Sequence, residues 1–66
     1  MRIVLNGEPR EFPAPQTVST LLEAAGHAGR RVAVELNLEI VPRSRHAGQA
    51  LADGDRVEIV HAIGGG

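Results

Sequence analysis

Arg56-Val57-Glu58-Ile59-Val60-His61-Ala62-Ile63, running into Gly64-Gly65-Gly66, decides how the chain is read. Val57 and Ile59 alternate with Glu58, Val60 and Ala62, the period of a strand with one buried face. No turn and no partner strand follow it, only three glycines. Glycine loses more conformational freedom on ordering than any other residue. Residues 1–63 are therefore expected to form the folded domain, and 64–66 a flexible tail. Three residues without side chains can enter a narrow slot in another protein and present a carboxylate there. At neutral pH that carboxylate is ionised and is a nucleophile toward an activated phosphate.

Working outward, Met1, Ile3 and Leu5 alternate with Arg2, Val4 and Asn6, a second half-buried strand. Asn6-Gly7 is the strongest short hairpin signal, and Arg10, Glu11 and Phe12 read as a short return strand. Pro9, Pro13 and Pro15 flank it, which places it at a sheet edge. Thr17 is a good helix N-cap. Val18, Leu21, Leu22 and Ala25 then form one apolar helical stripe, closed by Gly26 at the left-handed position. Val32, Val34 and Leu36 give a third strand, and Glu39, Ile40 and Val41 a fourth. The turn between them, Asn37-Leu38, suits a positive φ poorly at Leu38. Ser44 is placed to cap a short helical turn through Ala47, Leu51 to plug the core, and Asp53-Gly54-Asp55 to turn the chain. The whole reads as α+β, a mixed sheet of four to five strands with one main helix on one face. The first and last strands, the most apolar, are expected side by side and parallel in the centre, joined by the crossover such a pair requires.

Composition removes several function classes. Sixty-six residues make one small domain with little interior for an enclosed active site. A net charge of −1 gives no strong field for nucleic acid or acidic membranes. Phe12 is the only aromatic residue of the Phe, Trp and Tyr class, so base stacking is unavailable. There is no cysteine, hence no disulfide and no thiolate metal site. His27, His46 and His61 lack metal-ligand spacing, and no apolar run approaches a membrane span. The opening residues leave no room for a signal peptide, which makes the cytoplasm the expected location. All seven basic residues are arginine. Arg30-Arg31 and Arg43-Ser44-Arg45 read as solvated loop charges, with contact to acidic groups on a partner as the lesser reading. No Gly-x-x-x-x-Gly-Lys loop is present, so nothing in the chain cradles ATP.

Ala52 through Gly66, with its Asp-Gly-Asp turn and terminal glycines, resembles the C-terminus of the ThiS sulfur carriers of thiamine biosynthesis. Ile40-Val41-Pro42-Arg43 resembles that family's Val-Pro-Arg segment. The Asn-Gly hairpin, the Thr17-Val18 helix start with Leu21-Leu22, and the length also fit, so the resemblance covers the whole chain. It implies the ubiquitin-like β-grasp fold. It further implies adenylation of Gly66 by an E1-like ThiF/MoeB-type enzyme that uses ATP and Mg²⁺, and conversion of the acyl adenylate to a thiocarboxylate. Sulfur would come from a persulfide donor and pass to thiazole synthase, ThiG. Gly64 and Gly65 carry over as the threading tail. On this view the chain is a protein co-substrate with no cofactor of its own, and not an enzyme.

A partner is expected to grip the sheet face away from the helix, where alternation places Val4, Ala33, Val60 and Ala62, with Ile63 at the root of the tail. The free chain is expected to be a monomer. Four alternatives stay open: a MoaD-type carrier for molybdopterin synthesis, a carrier for cysteine or another sulfur metabolite, a ubiquitin-like protein modifier, and a β-grasp binding module. Neutral charge and the lack of aromatics weigh against the last.

Overall fold

The computed structural model describes residues 1–61. The expected tail, with Ala62 and Ile63 before it, lies outside them. β1 (Arg2–Leu5) turns at Asn6-Gly7 into β2 (Glu8–Glu11), with φ of 50° at Asn6 and 84° at Gly7. Those are the two positive angles that a two-residue turn of the type I′ class requires. The return strand begins earlier than the sequence suggests, and Pro9 lies inside it, opposite Val4. The strand tolerates a proline because β2 is an edge strand, where a missing N–H need not break a ladder. Phe12 follows β2 and is buried.

The helix α1 (Val18–Ala24) starts at Thr17. The backbone N–H of Thr20 donates to Thr17 Oγ1 at 3.2 Å, and that of Thr17 donates to Thr20 Oγ1 at 2.8 Å. Two orphan donors are thereby satisfied reciprocally, with threonine in the role usually held by Glu or Gln. At the other end His27 N–H bonds the Leu22 carbonyl and Gly26 N–H bonds that of Glu23. This is the paired Schellman closure, and it needs the left-handed Gly26, at φ 85°. A helix of seven residues is too short to hold alone. It persists because Val18, Leu21 and Leu22 are buried against the sheet.

β3 (Val32–Leu36), β4 (Glu39–Val41) and β5 (Arg56–His61) complete a five-stranded sheet of order β2-β1-β5-β3-β4. β1 and β5 are parallel and adjacent, as the two most apolar strands should be. The other three neighbouring pairs are antiparallel. Ile3, Leu5, Val34, Val57 and Ile59 line the face that α1 covers, with Leu51 closing the core. Ser44 does not cap. It sits inside a 3₁₀ turn, Arg43–Arg45, whose N-cap position is Pro42. Pro42 already blocks strand continuation and presets the turn, so no side-chain cap is used.

Both hairpin turns lead with asparagine, and both side chains reach β5. Asn6 Oδ1 accepts from Ile59 N–H at 2.7 Å, just where β1 has ended and its backbone can no longer serve. Asn37 Oδ1 accepts from Arg56 N–H at 3.0 Å, while its Nδ2 donates to Asp55 Oδ1. These contacts hold the second turn in a conformation that costs Leu38 a φ of 72°.

Candidate functional site

Strand alternation, confirmed by burial, gives the sheet a second face that no helix among the described residues covers. β5 sends Arg56, Glu58 and Val60 to that face, because Val57 and Ile59 take the core. β3 sends Ala33 and Glu35, β1 sends Arg2 and Val4, and β4 sends Ile40. Cross-strand register orders them into rows. Val60 stands opposite Ala33, Glu58 opposite Glu35, and Ile40 on the far side of Glu35. At the other end Val4 stands beside Arg56.

Of the residues singled out in sequence, Val60 and Ala33 are therefore brought together, and both are exposed. Val4 is half-buried and does not join them. Arg56 and Val60 are four residues apart, roughly 13 Å along a strand. Ala62, Ile63, Gly64, Gly65 and Gly66 lie outside the described residues. Ile40 shares this face, is 74% exposed, and was not anticipated as a contact residue. Its signal was present in the sequence: once Val41 is buried, alternation turns Ile40 outward.

The carboxylates Glu35 and Glu58 directly face one another across the β3–β5 ladder. Like charges in that position repel. Among the described residues the one ion pair is Arg2 with Glu11, at 3.5 Å and with both side chains mostly exposed. Such a pair contributes little. The open face thus carries two small apolar groups at the tail end, an acidic middle, and arginines at the far end.

Elsewhere the polar residues serve the fold. Asp53 Oδ1 accepts from Arg2 N–H, and Asp55 Oδ2 from Ala52 N–H, both at 2.7 Å. The Asp-Gly-Asp turn spends its carboxylates on backbone donors and on the Asn37 amide, which is a structural role and not that of an ion ligand. His46 is buried, with Nε2 3.0 Å from the Val41 carbonyl. His61 is exposed, and its ring meets that of His27 edge-on at 4.9 Å between centroids. Among the described residues no three His, Asp or Glu side chains gather as a metal site. No helix among them is long and apolar enough to cross a membrane.

The family model described as "ThiS family" matches residues 3–66. A thiazole synthase of Paramagnetospirillum magneticum is 56% identical over all 66 residues, which span only 20% of that protein. The sulfur carrier protein ThiS of Escherichia coli is 35% identical, with all of both chains covered. Among solved structures, the crystal structure of the thiamine biosynthesis protein ThiS from Geobacter metallireducens superposes with a TM-score of 0.86 at 35% identity, again over all of both chains. The mixed five-stranded sheet with one helix is thus the β-grasp arrangement that the resemblance implied.

Proposed function

This chain belongs to the ThiS family, which includes small sulfur carriers that are not enzymes, and we propose that it carries sulfur on Gly66 for thiazole formation in thiamine biosynthesis. One observation supports this most. The same 66 residues align with a complete sulfur carrier and with a fifth of a thiazole synthase. A carrier-like segment within a thiazole synthase keeps donor and acceptor at high effective concentration. That arrangement is useful if the two exchange sulfur.

The chemistry starts from a carboxylate, a poor electrophile. An E1-like enzyme of the ThiF/MoeB type supplies ATP, Mg²⁺ and the positive groups that stabilise phosphoryl transfer. The Gly66 carboxylate attacks the α-phosphorus, pyrophosphate leaves, and the acyl adenylate carries a good leaving group. The terminal sulfur of a persulfide donor then attacks the acyl carbon and displaces AMP, leaving an acyl disulfide. A second thiol cleaves its S–S bond, is itself oxidised to a disulfide with the donor, and releases the thiocarboxylate that passes to thiazole synthase. Gly64 and Gly65 thread the activating site, where any Cβ would widen the segment. The partner grips the exposed neighbours Val60 and Ala33 and contacts Ala62 and Ile63 on the way to the tail. The carrier works as a monomer in the cytoplasm, since each step requires exchange of partners. Chemistry on the terminal carbonyl also accounts for a sulfur carrier with no cysteine.

Pyrophosphate exchange into ATP tests the first step. With a ThiF-type enzyme the chain should stimulate exchange, and a chain lacking Gly65 and Gly66 should not. Equal stimulation by both would remove Gly66 from the mechanism.

A further inference from the structure

The sulfur-carrier reading leaves His27, the Arg30-Arg31 pair and Arg43 unused. They are distant in sequence, yet the fold gathers them. The chain leaves α1 through Gly26, and Arg30 N–H bonds back to the His27 carbonyl at 3.0 Å, closing a tight turn just after the helix. Pro42 ends β4 and directs Arg43 toward the same place. Together with Ser19 and Glu23 of the helix they line a single groove of about 270 Å³.

The electrostatics of this groove are lopsided. Three arginines line it against one acidic residue, Glu23. None of the three forms an ion pair among the described residues. Arginine offers planar, forked donors that match carboxylate and phosphate oxygens. Several such forks without an anion repel one another, and an anion would bring them together. The groove is also smaller than the range of about 300–1,000 Å³ typical of sites that enclose small molecules. It is shaped for a few side chains laid across it, and not for a nucleotide buried within it.

Its position gives the groove a use. Val32 lines it and pairs with His61, the last described residue of β5. The ring of His27 rests against that of His61. The groove therefore adjoins the end of the strand that leads into residues 62–66, but on the helix side of the sheet and not on its open face. We propose that it is a second docking contact, filled by an acidic segment of a protein partner whose Asp or Glu side chains bond Arg30, Arg31 and Arg43. Only the proximity to the tail rests on the sulfur-carrier reading. The groove and its test stand without it.

Titration of the isotope-labelled chain with hexaglutamate at low salt, followed by amide NMR shifts, tests this directly. Shifts should concentrate at Arg30, Arg31, Arg43 and His27, and hexaglutamine should produce none. Arg30→Glu, Arg31→Glu and Arg43→Glu combined should weaken binding by roughly tenfold or more, as the loss of three modest exposed ion pairs implies. Because all three side chains are exposed, the variant should stay folded. The corresponding triple Gln variant gives a milder control should charge reversal disturb the loop. Shifts of equal size at Arg2, Arg10 and Arg56 would overturn the proposal, since they would reflect general attraction to cations. A tighter response to pyrophosphate with the same residue pattern would also overturn it, by making the groove a site for small anions.

Discussion

The two faces of one sheet differ in what holds them. On the helix side, Ile3, Val34 and Val57 are almost wholly removed from water, covered by a helix that cannot exist without them. On the open side, the same strands expose Ala33, Val60 and Ile40 around the opposed pair Glu35 and Glu58. Intramolecular packing explains the first face completely. It does not explain the second, where 57% of the Val60 surface stays wet and two carboxylates repel. The face that the fold does not need is the one open to a partner.

Substitutions on the two sides should separate stability from exchange. Leu21→Ala, in the covered layer, should cost about 2–5 kcal/mol in denaturant unfolding, a large share of what a domain this small possesses. Asn6→Ala removes the acceptor for Ile59 N–H and places alanine at φ 50°. A loss of about 1–3 kcal/mol is expected in the same assay. Val60→Asp should change stability by less than about 1 kcal/mol, yet lower kcat/KM for adenylation by roughly tenfold, as burying an unpaired charge at an interface does. Normal adenylation by a folded Val60→Asp chain would erase the functional distinction between the faces. Leu38→Gly should have the smallest effect. Relief of a left-handed leucine gains up to about 1 kcal/mol, partly offset by the freer unfolded chain. Adenylation should be unchanged, because Leu38 is more exposed than Val60 but lies on the turn beyond the face.

Much of this architecture is legible in local pattern. Period-two alternation places Ile3, Leu5, Val57 and Ile59 on the core side, and the Asn6-Gly7 pair specifies its turn because only such residues accept two positive φ angles. Thr17 and Gly26 bracket the helix for equally local reasons. Misreadings arise where tertiary context decides. Pro9 lies within β2 because no described strand pairs beyond that edge. Ser44 looks like a cap but is inside the turn that Pro42 begins. The Asn37-Leu38 turn survives an unsuitable leucine because Asn37 is tied to Asp55 and Arg56, nearly twenty positions away. Val4 and Val60 share a face by alternation, but only strand register shows that they sit at opposite ends of it. The arginine groove is the extreme case. Its residues read as separate solvated charges until the chain brings a helix, a loop and a 3₁₀ turn together.

The central claim is that Gly66 carries sulfur, and intact-protein mass spectrometry tests it most directly. The chain would be incubated with a ThiF-type enzyme, ATP, Mg²⁺ and a persulfide donor, then fragmented to locate any change. Replacement of one oxygen by sulfur, confined to Gly66, is the predicted result. An unchanged mass, with an enzyme that thiolates the Escherichia coli carrier in parallel, would contradict the account.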